Sequence, residues 1–183
     1  MKYADLNGDG RINQDDQTWI MNPVPAFSYG LNVAVSYKNF DLSMFWQGVA
    51  DQDIYNNQKY QTDFWSITDA GSNKGNRMLN AWTSDNTDSS IPALTTNNTA
   101  DEGRVSTYYV ENGSYLKLRT LQLGYNVPEK FISKLKMSSL RAYISGQNLL
   151  TLKSSSLTCS DPENPNWAYP LATSISFGLQ VGF

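Results

Sequence analysis

The fold is decided by Phe27-Ser28-Tyr29-Gly30-Leu31-Asn32-Val33-Ala34-Val35-Ser36-Tyr37, in which large apolar residues at odd positions alternate with small or polar residues at even positions. After Lys38-Asn39 the alternation resumes in Phe40-Asp41-Leu42-Ser43-Met44-Phe45-Trp46-Gln47-Gly48, with the large residues now mainly at even positions. A period of two predicts strands with one apolar and one polar face, and a two-residue turn explains the change of parity. The predicted pairs on the apolar face are Tyr37–Phe40, Val35–Leu42, Val33–Met44 and Leu31–Trp46, and the one exception to the pattern is Phe45 opposite Asn32.

Both strands of this hairpin are long. The first covers residues 27–37, whereas strands in soluble proteins most often have about 5–6 residues and a membrane-crossing strand needs about 9–11. Aromatic residues lie near the strand ends, where the aromatic girdle of a membrane barrel would lie; they are Phe27, Tyr29, Tyr37, Phe40 and Trp46. The length favours a membrane strand, but the hairpin alone leaves open a long hairpin in a soluble β-sandwich.

The composition excludes several classes of function. The chain has 183 residues and a formal net charge of −3, so it lacks the basic surplus typical of nucleic-acid-binding proteins. It contains no histidine, which excludes histidine-based catalysis and histidine metal sites. Its one cysteine, Cys159, excludes an internal disulfide and a multi-cysteine zinc site. Because the acidic residues cluster in turns and form no evident pair on strands, we do not expect an enzyme such as a glycosidase.

Neither a membrane-spanning helix nor a secretion signal is evident in the sequence. No apolar run approaches the roughly 18 residues of a spanning helix, and Met1-Lys2-Tyr3-Ala4 leads directly into a polar loop. The strands of a transmembrane barrel escape such tests, because half of their residues are polar. If the protein is exported, we expect additional sequence upstream of this chain.

Residues 5–16 match the calcium-binding loop of an EF-hand. Oxygen-bearing side chains fall at loop positions 1, 3 and 5, glycine at position 6, isoleucine at position 8 and a carboxylate at position 12. The predicted Ca²⁺ ligands are the side chains of Asp5, Asn7, Asp9 and Asp16 and the carbonyl of Arg11. Asp16 departs from the usual glutamate at the last position, and an Asx-rich turn without metal is the alternative. A lone loop suits a structural ion better than a calcium sensor.

The same alternation predicts further strands, which are Val105–Val110, Ser114–Val127, Ser139–Thr151 and Thr173–Phe183. In the second of these, Leu116 and Leu118 are out of phase with Leu121 and Leu123, which predicts a β-bulge near Thr120. The predicted helical segments are Pro128–Leu135, opened by proline, and Lys74–Trp82, with Met78, Leu79 and Trp82 on one face.

The connections between the five long strands are of two kinds. Lys38-Asn39 and residues 128–138 are short and fall at one end, whereas residues 51–103 and 153–172 are long and fall at the other. Short periplasmic turns and long extracellular loops are the pattern of an outer-membrane barrel. We therefore predict an all-β fold: an antiparallel, up-and-down transmembrane β-barrel segment, incomplete as a barrel. Residues 1–26 would be an extracellular loop with the calcium motif, and residues 27–183 the strands. The predicted lumen-facing residues are Asn32, Asp41, Ser43, Gln47, Arg141, Tyr143 and Gln147.

Several motifs, in order along the chain, resemble the late barrel of the SusC/RagA family of TonB-linked outer-membrane transporters. They are Asp5-Leu6-Asn7-Gly8-Asp9-Gly10, Asn22-Pro23, Tyr29-Gly30-Leu31-Asn32, Tyr37-Lys38-Asn39-Phe40-Asp41-Leu42-Ser43, Gln47-Gly48, Val110-Glu111-Asn112-Gly113-Ser114-Tyr115-Leu116-Lys117-Leu118-Arg119, Leu123-Gly124-Tyr125, Ser145-Gly146-Gln147-Asn148-Leu149 and Phe183. The resemblance covers essentially the whole chain.

The resemblance implies a barrel of about 22 strands with a plugged lumen, in the outer membrane of a Gram-negative, Bacteroidota-like cell and in contact with its lipid. It implies import of oligosaccharides or peptides, with a SusD-like lipoprotein as an extracellular lid and energy from the TonB system. The plug and the TonB-contacting segment are absent from this sequence. A single-chain barrel takes at least about eight strands, so we expect this chain to be the C-terminal piece of a longer transporter, which would contact TonB through the missing N-terminal part.

One alternative to a transporter segment remains. A soluble, secreted, calcium-dependent β-domain that binds carbohydrate would fold without detergent and would have no wide lipid-facing band.

The aromatic side chains of residues 51–103 also allow two interpretations. They could stack on sugar rings or contact the lid, or they could pack within the loop, which is the simpler expectation. They are Tyr55, Tyr60, Phe64, Trp65 and Trp82.

Overall fold

The computed structural model describes residues 1–64, 73–94, 101–166 and 168–183. The strands in these ranges are β1 (Phe27–Tyr37), β2 (Phe40–Ala50), β3 (Asp53–Tyr55), β4 (Val110–Asn112), β5 (Tyr115–Asn126), β6 (Ser139–Lys153) and β7 (Ser174–Gly182). The α-helices are α1 (Asn57–Asp63) and α2 (Glu129–Ile132), and short 3₁₀ helices cover Gln14–Asp16, Asn76–Asn80, Thr107–Tyr109 and Ser133–Leu135. No helix among the described residues is long and apolar enough to cross a membrane.

The long strands form one antiparallel sheet. Its order is β1-β2-β5-β6-β7, so the five long strands lie side by side in sequence order, and residues 51–114 connect the adjacent strands β2 and β5. The predicted antiparallel, mostly-strand fold is confirmed. Within the described residues the sheet is open, with β1 and β7 as its outer strands, and the short β3 and β4 pair separately.

The register of the first hairpin agrees with the sequence pattern at every predicted pair. Tyr37 lies opposite Phe40, Leu31 opposite Trp46, and Asn32 opposite the exceptional Phe45. Lys38 takes a positive φ of 53° in the turn, at a position where a two-residue hairpin usually carries glycine. The local pattern alone therefore fixed which side chains share a face.

A bulge in β5 keeps its leucines on one face. The register with β6 shifts between Leu118 and Thr120, and the register with β2 shifts between Phe45 and Trp46, at the same level. The extra residue is Arg119. Without it, Leu121 and Leu123 would turn to the polar face, because a one-residue slip inverts a strand.

One predicted strand is wrong, and one predicted helix is shorter than expected and lacks the expected apolar face. Val105–Val110 is not a strand: residues 107–109 form a 3₁₀ turn, and only Val110 continues into β4. The reason is tertiary, because Tyr109 turns into the interior and has no exposed surface. The segment Lys74–Trp82 contains only a 3₁₀ helix, in which Met78 is buried while Leu79 is 87% exposed, so these residues do not share a face.

The two ends of the sheet differ as the connections predicted. At one end short links join the strands, and Asn126 donates its backbone N–H to Asn39 while Ser138 donates to Gly182. At the other end the long connections pack together, and their buried side chains include Ile54, Leu157 and Cys159. We call this packed region, residues 51–64, 101–114 and 154–166, the loop layer. Among the described residues, the apolar cluster of Ile54, Leu157 and Cys159 lies in this layer, and other buried apolar residues, such as Leu118 on β5 and Ile132 in α2, lie outside it.

Candidate functional site

One face of the sheet is apolar and open to the surroundings. The register places most of the large apolar residues of the long strands on this face, with Phe45 as an exception. Phe177 is 81% exposed, Leu179 73% and Tyr37 68%. Other members of the face with large exposed fractions are Phe27, Leu31, Val35, Phe40, Leu123, Ile144, Leu150, Leu152 and Ile175. A contiguous apolar surface of this extent marks contact with lipid or with another protein.

The opposite face is polar, and it contains every residue predicted to face a lumen. The cross-strand pairs place Asn32, Asp41, Ser43, Gln47, Arg141, Tyr143 and Gln147 together on this side. The structure brings Asp41 and Arg141 into direct contact. It links Gln47 to Arg119, whose Nε donates to the Gln47 amide oxygen at 2.9 Å. Asn32, Ser43 and Gln147 occupy separate register positions on the same face.

Glycines allow two large side chains to lie flat on the polar face. Gly124 is opposite Asp41 in the ladder, and a Cβ at that position would lie 2.4 Å from both Arg141 Nη2 and Asp41 Oδ1. Gly178 is opposite Tyr143, and a Cβ there would lie 2.2 Å from the tyrosine ring. Both glycines are therefore required by the close approach of a neighbouring side chain.

A charged cluster on the polar face near the loop layer was not predicted from the sequence. Lys117 Nζ donates to Asp161 Oδ1 at 2.7 Å and to Glu163 Oε2 at 2.6 Å. Arg119 pairs with the other Glu163 oxygen, which also accepts from the Tyr115 hydroxyl. The alternation of Lys117 and Arg119 with leucines was visible in the sequence. Their acidic partners lie more than forty residues away, and nothing local pointed to them.

The acids of this cluster, which belong to the long connection after β6, are held in their charged forms. Burial raises the pKa of Glu163, but hydrogen bonds from Lys117, Tyr115 and Arg119 outweigh it, so the pKa lies below its ordinary value. Burial likewise raises the pKa of Asp161, and its hydrogen bonds with Lys117 and the Glu163 backbone lower it further than burial raises it. The long connection is thereby fixed onto β5 by ionised groups.

A second polar network joins the two long connections to each other. Glu111 accepts hydrogen bonds from the backbone N–H of Thr158 at 2.9 Å, from its hydroxyl at 2.7 Å and from Asn56 at 3.0 Å. Lys59 lies 3.3 Å from the same carboxylate. Burial raises the pKa of Glu111, but these donors lower it more, so the net pKa is below the ordinary value. The loop layer is therefore cross-linked by a satisfied buried carboxylate.

The aromatic residues of the first long connection pack mainly against one another. Tyr109 is in contact with Tyr55, Tyr60 and Tyr108 at ring-centroid distances of 5.7, 6.1 and 5.2 Å, and Phe64 lies 5.4 Å from Tyr108. This arrangement agrees with packing inside the loop. Trp82 is 44% exposed, and Trp65 lies outside the described residues.

The predicted calcium loop folds around its own backbone. Asp5 accepts from the N–H groups of Gly8 and Gly10, and Asp16 accepts from Leu6 and Asn13, at 2.7–2.8 Å. Gly8 and Gly10 take positive φ values of 77° and 79°, which an L side chain rarely adopts. Among the described residues, no three His, Cys, Asp or Glu side chains converge as a metal-binding group. The loop therefore has the turns of the motif, and its Ca²⁺ ligands remain a prediction.

Comparisons with known proteins point in one direction. No family model matches the chain. The chain is 38% identical over 152 residues to TonB-dependent receptor P3 of Formosa agariphila, and this match covers 81% of this chain and 14% of that protein. It is 28% identical over 189 residues to TonB-dependent receptor SusC of Bacteroides thetaiotaomicron, and this match covers 99% of this chain and 17% of that protein. Among solved structures it is similar to the RagAB peptide transporter, with a TM-score of 0.75 and 26% identity over 94% of this chain and 19% of that one.

These comparisons confirm the resemblance predicted from the sequence motifs. They agree in sequence and in fold, and they extend over most of this chain. The chain spans less than a fifth of the length of these relatives.

Proposed function

We propose that this chain, a SusC/RagA-like segment of a TonB-dependent transporter, forms part of the wall of a β-barrel in the outer membrane. The observation that carries the proposal is the two-faced sheet. Its apolar face is exposed at Phe177, Leu179 and Tyr37, while its polar face contains charged and hydrogen-bonded side chains. A membrane barrel requires this distribution, with lipid on one side of each strand and the lumen on the other.

The ends of the sheet give the proposed orientation. The short turns would face the periplasm and the loop layer the cell exterior, as is usual in outer-membrane barrels. Residues 1–26 would then lie on the exterior, since Asn22 and Asp53 exchange hydrogen bonds at the loop layer.

We propose import of a glycan or a peptide as the activity of the whole transporter. The support is similarity to proteins named SusC and the RagAB peptide transporter. A SusD-like lipoprotein would cover the loop layer, and the TonB system would supply energy through a part of the transporter outside this chain. Co-purification of a lipoprotein with the tagged transporter tests the partner, and uptake of labelled oligosaccharides against labelled peptides tests the substrate.

A soluble carbohydrate-binding β-domain is not favoured. Such a domain buries the apolar face of its sheet against a second layer. Here Ile175 is 60% exposed and Leu31 58% exposed, so the apolar face has no such cover among the described residues.

We also propose that residues 5–16 bind a structural Ca²⁺. The ligands would be side-chain oxygens of Asp5, Asn7, Asp9 and Asp16 and the carbonyl of Arg11. Hard oxygen donors at this spacing suit calcium, and the positive φ values of Gly8 and Gly10 support the required turns. The ion would balance the charges of Asp5, Asp9 and Asp16 and stabilise the turns of residues 5–16.

Nitroxide accessibility along β1 tests the proposed wall. In a Cys159→Ala background of the complete transporter, residues 32 to 36 of this chain are replaced by cysteine one at a time. Each cysteine is spin-labelled, and the labelled protein is placed in lipid vesicles. We expect odd positions to collide with oxygen, which concentrates in lipid, and even positions to collide with a water-soluble nickel complex. The proposal is rejected if the nickel complex reaches the labels at positions 33 and 35 as readily as the labels at positions 32 and 34.

A further inference from the structure

Three donors of the polar face converge on one carboxylate that belongs to a loop. Glu163 accepts from the Tyr115 hydroxyl at 2.7 Å and from Lys117 Nζ at 2.6 Å, and it also pairs with the Arg119 guanidinium. All three donors come from consecutive inward positions of β5. This donor set matches a carboxylate, because a guanidinium, an ammonium and a hydroxyl together can serve both of its oxygens.

The strand donors do not depend on Glu163 alone. Lys117 also bonds Asp161 at 2.7 Å, and Arg119 also bonds Gln47 at 2.9 Å. The Glu163 side chain is 26% exposed, whereas those of Lys117 and Asp161 are 3% and 7% exposed. Glu163 is thus the outermost acid of the cluster, and its departure would leave both cations with one partner each. The site would then carry one unmatched positive charge.

An apolar cleft adjoins the cradle that Tyr115, Lys117 and Arg119 form around the Glu163 carboxylate. It has a volume of about 420 Å³, and its walls include Met21, Pro23, Val49, Tyr115, Pro162 and Pro165. Glu163 itself lies on the wall of the cleft. A cleft of this size accommodates a ring or a short side chain attached to the group held in the cradle.

We propose that the cradle of Tyr115, Lys117 and Arg119 binds a carboxylate of the transported solute, and that Glu163 occupies it in the solute's absence. The inference rests on the proposed function, because it assigns a substrate class to the polar face. Binding of a solute carboxylate would displace Glu163 from Lys117 and Arg119, while Asp161 would stay paired with Lys117. The solute would be an oligosaccharide with uronic acid residues or an acidic peptide, and its ring or side chain would enter the cleft.

Calorimetric titration of the complete transporter in detergent tests the proposal. The carboxylated probes are trigalacturonate and triglutamate, and the neutral ones are maltotriose and N-acetyl-trialanine amide. Glu163→Gln removes the competing charge and keeps the size of the side chain, so we expect roughly tenfold tighter binding of one carboxylated probe. Arg119→Gln should weaken the same probe by a similar factor. Glu129→Gln, which removes an exposed acid at the other end of the sheet, is the control for net charge.

The outcome identifies the source of the carboxylate. Tighter binding of trigalacturonate points to an acidic glycan, and tighter binding of triglutamate to an acidic peptide. The proposal is overturned if neither carboxylated probe binds the Glu163→Gln variant more tightly than the wild type, or if the neutral probes gain equally. If the nitroxide pattern of β1 holds in that case, only this inference fails. If the pattern is absent, the proposed wall fails whatever the titrations give.

Discussion

Arg141 on β6 reaches across β5 to pair with Asp41 on β2, and its Nε donates to Asp41 Oδ1 at 3.1 Å. The strand between them carries Gly124 at the crossing point. An ion pair between strands that are not neighbours in the sheet ties three strands together on the polar face. It is possible only because the middle strand has no side chain at this level.

Replacement of Gly124 by alanine should therefore destabilise the sheet. The new Cβ would lie 2.4 Å from Arg141 Nη2, so the guanidinium must move off the strand. Overpacking of this kind costs about 1–3 kcal/mol. The urea midpoint of the folded transporter in micelles measures the change. Gly30→Ala, on the same face but with its Cβ 3.4 Å from the nearest atom of Phe45, should leave the midpoint nearly unchanged. Equal midpoints for the two variants would contradict the steric explanation.

A charge on the apolar face should be far more damaging than the same charge one residue later. Ile144 is exposed on the apolar face in the middle of β6, and Ser145 lies on the polar face. Arginine at the bilayer midplane costs about 2–4 kcal/mol in barrels. We therefore expect Ile144→Arg to make folding into lipid vesicles less favourable by about that amount. Ser145→Arg is the matched control. If Ser145→Arg proves as harmful as Ile144→Arg, the faces do not separate lipid from lumen.

Acid should open the loop layer through Glu111. Its folded pKa lies below the ordinary 4.5, because burial, which raises it, is outweighed by donors from Thr158, Asn56 and Lys59. The unfolded carboxylate takes up its proton first, so the stabilisation is complete above about pH 4.5 and is lost as the pH falls below that value. Cys159, which is 1% exposed, reports the opening through its labelling by a dithiodipyridine, normalised to the unfolded protein at each pH.

The variants Glu111→Gln and Glu129→Gln separate this effect from general acid sensitivity. In Glu111→Gln, Cys159 should be labelled faster at neutral pH, and its labelling should rise less below pH 4.5. The rise should persist in part, because Asp161 and Glu163 also have lowered pKa values. Glu129→Gln should behave as the wild type. An unchanged labelling profile in Glu111→Gln would show that this carboxylate does not hold the layer.

Removal of one predicted calcium ligand should weaken binding of the ion without disturbing the strands. Affinity of such loops follows the number of charged ligands, so Asp5→Asn should weaken Ca²⁺ binding at least about tenfold in calorimetry. Asp15→Asn changes an acid of the same segment that is not a predicted ligand and serves as the control. Ca²⁺ should also slow proteolysis in residues 1–26 of the wild type, and chelation should reverse this protection. Identical affinities for the two variants would exclude the proposed ligand set.

Residues close in sequence were enough to predict the five long strands, their faces and the two ends of the sheet. The first hairpin could be predicted pair by pair, because a two-residue turn fixes the register and the alternation fixes the face. The bulge at Arg119 could be predicted from the leucine phase for the same reason. These features depend on residues close in sequence, whose geometry the backbone period decides.

The loop layer and the charged cluster depend instead on contacts between distant parts of the chain. Thr107–Tyr109 has the composition of a strand, but burial of Tyr109 among other tyrosines makes it a turn. Lys117 and Glu163 meet because the sheet register and the fold of the long connection bring them together, 46 residues apart. No local pattern specifies such a contact, since its energy depends on burial and on partners that the rest of the chain supplies.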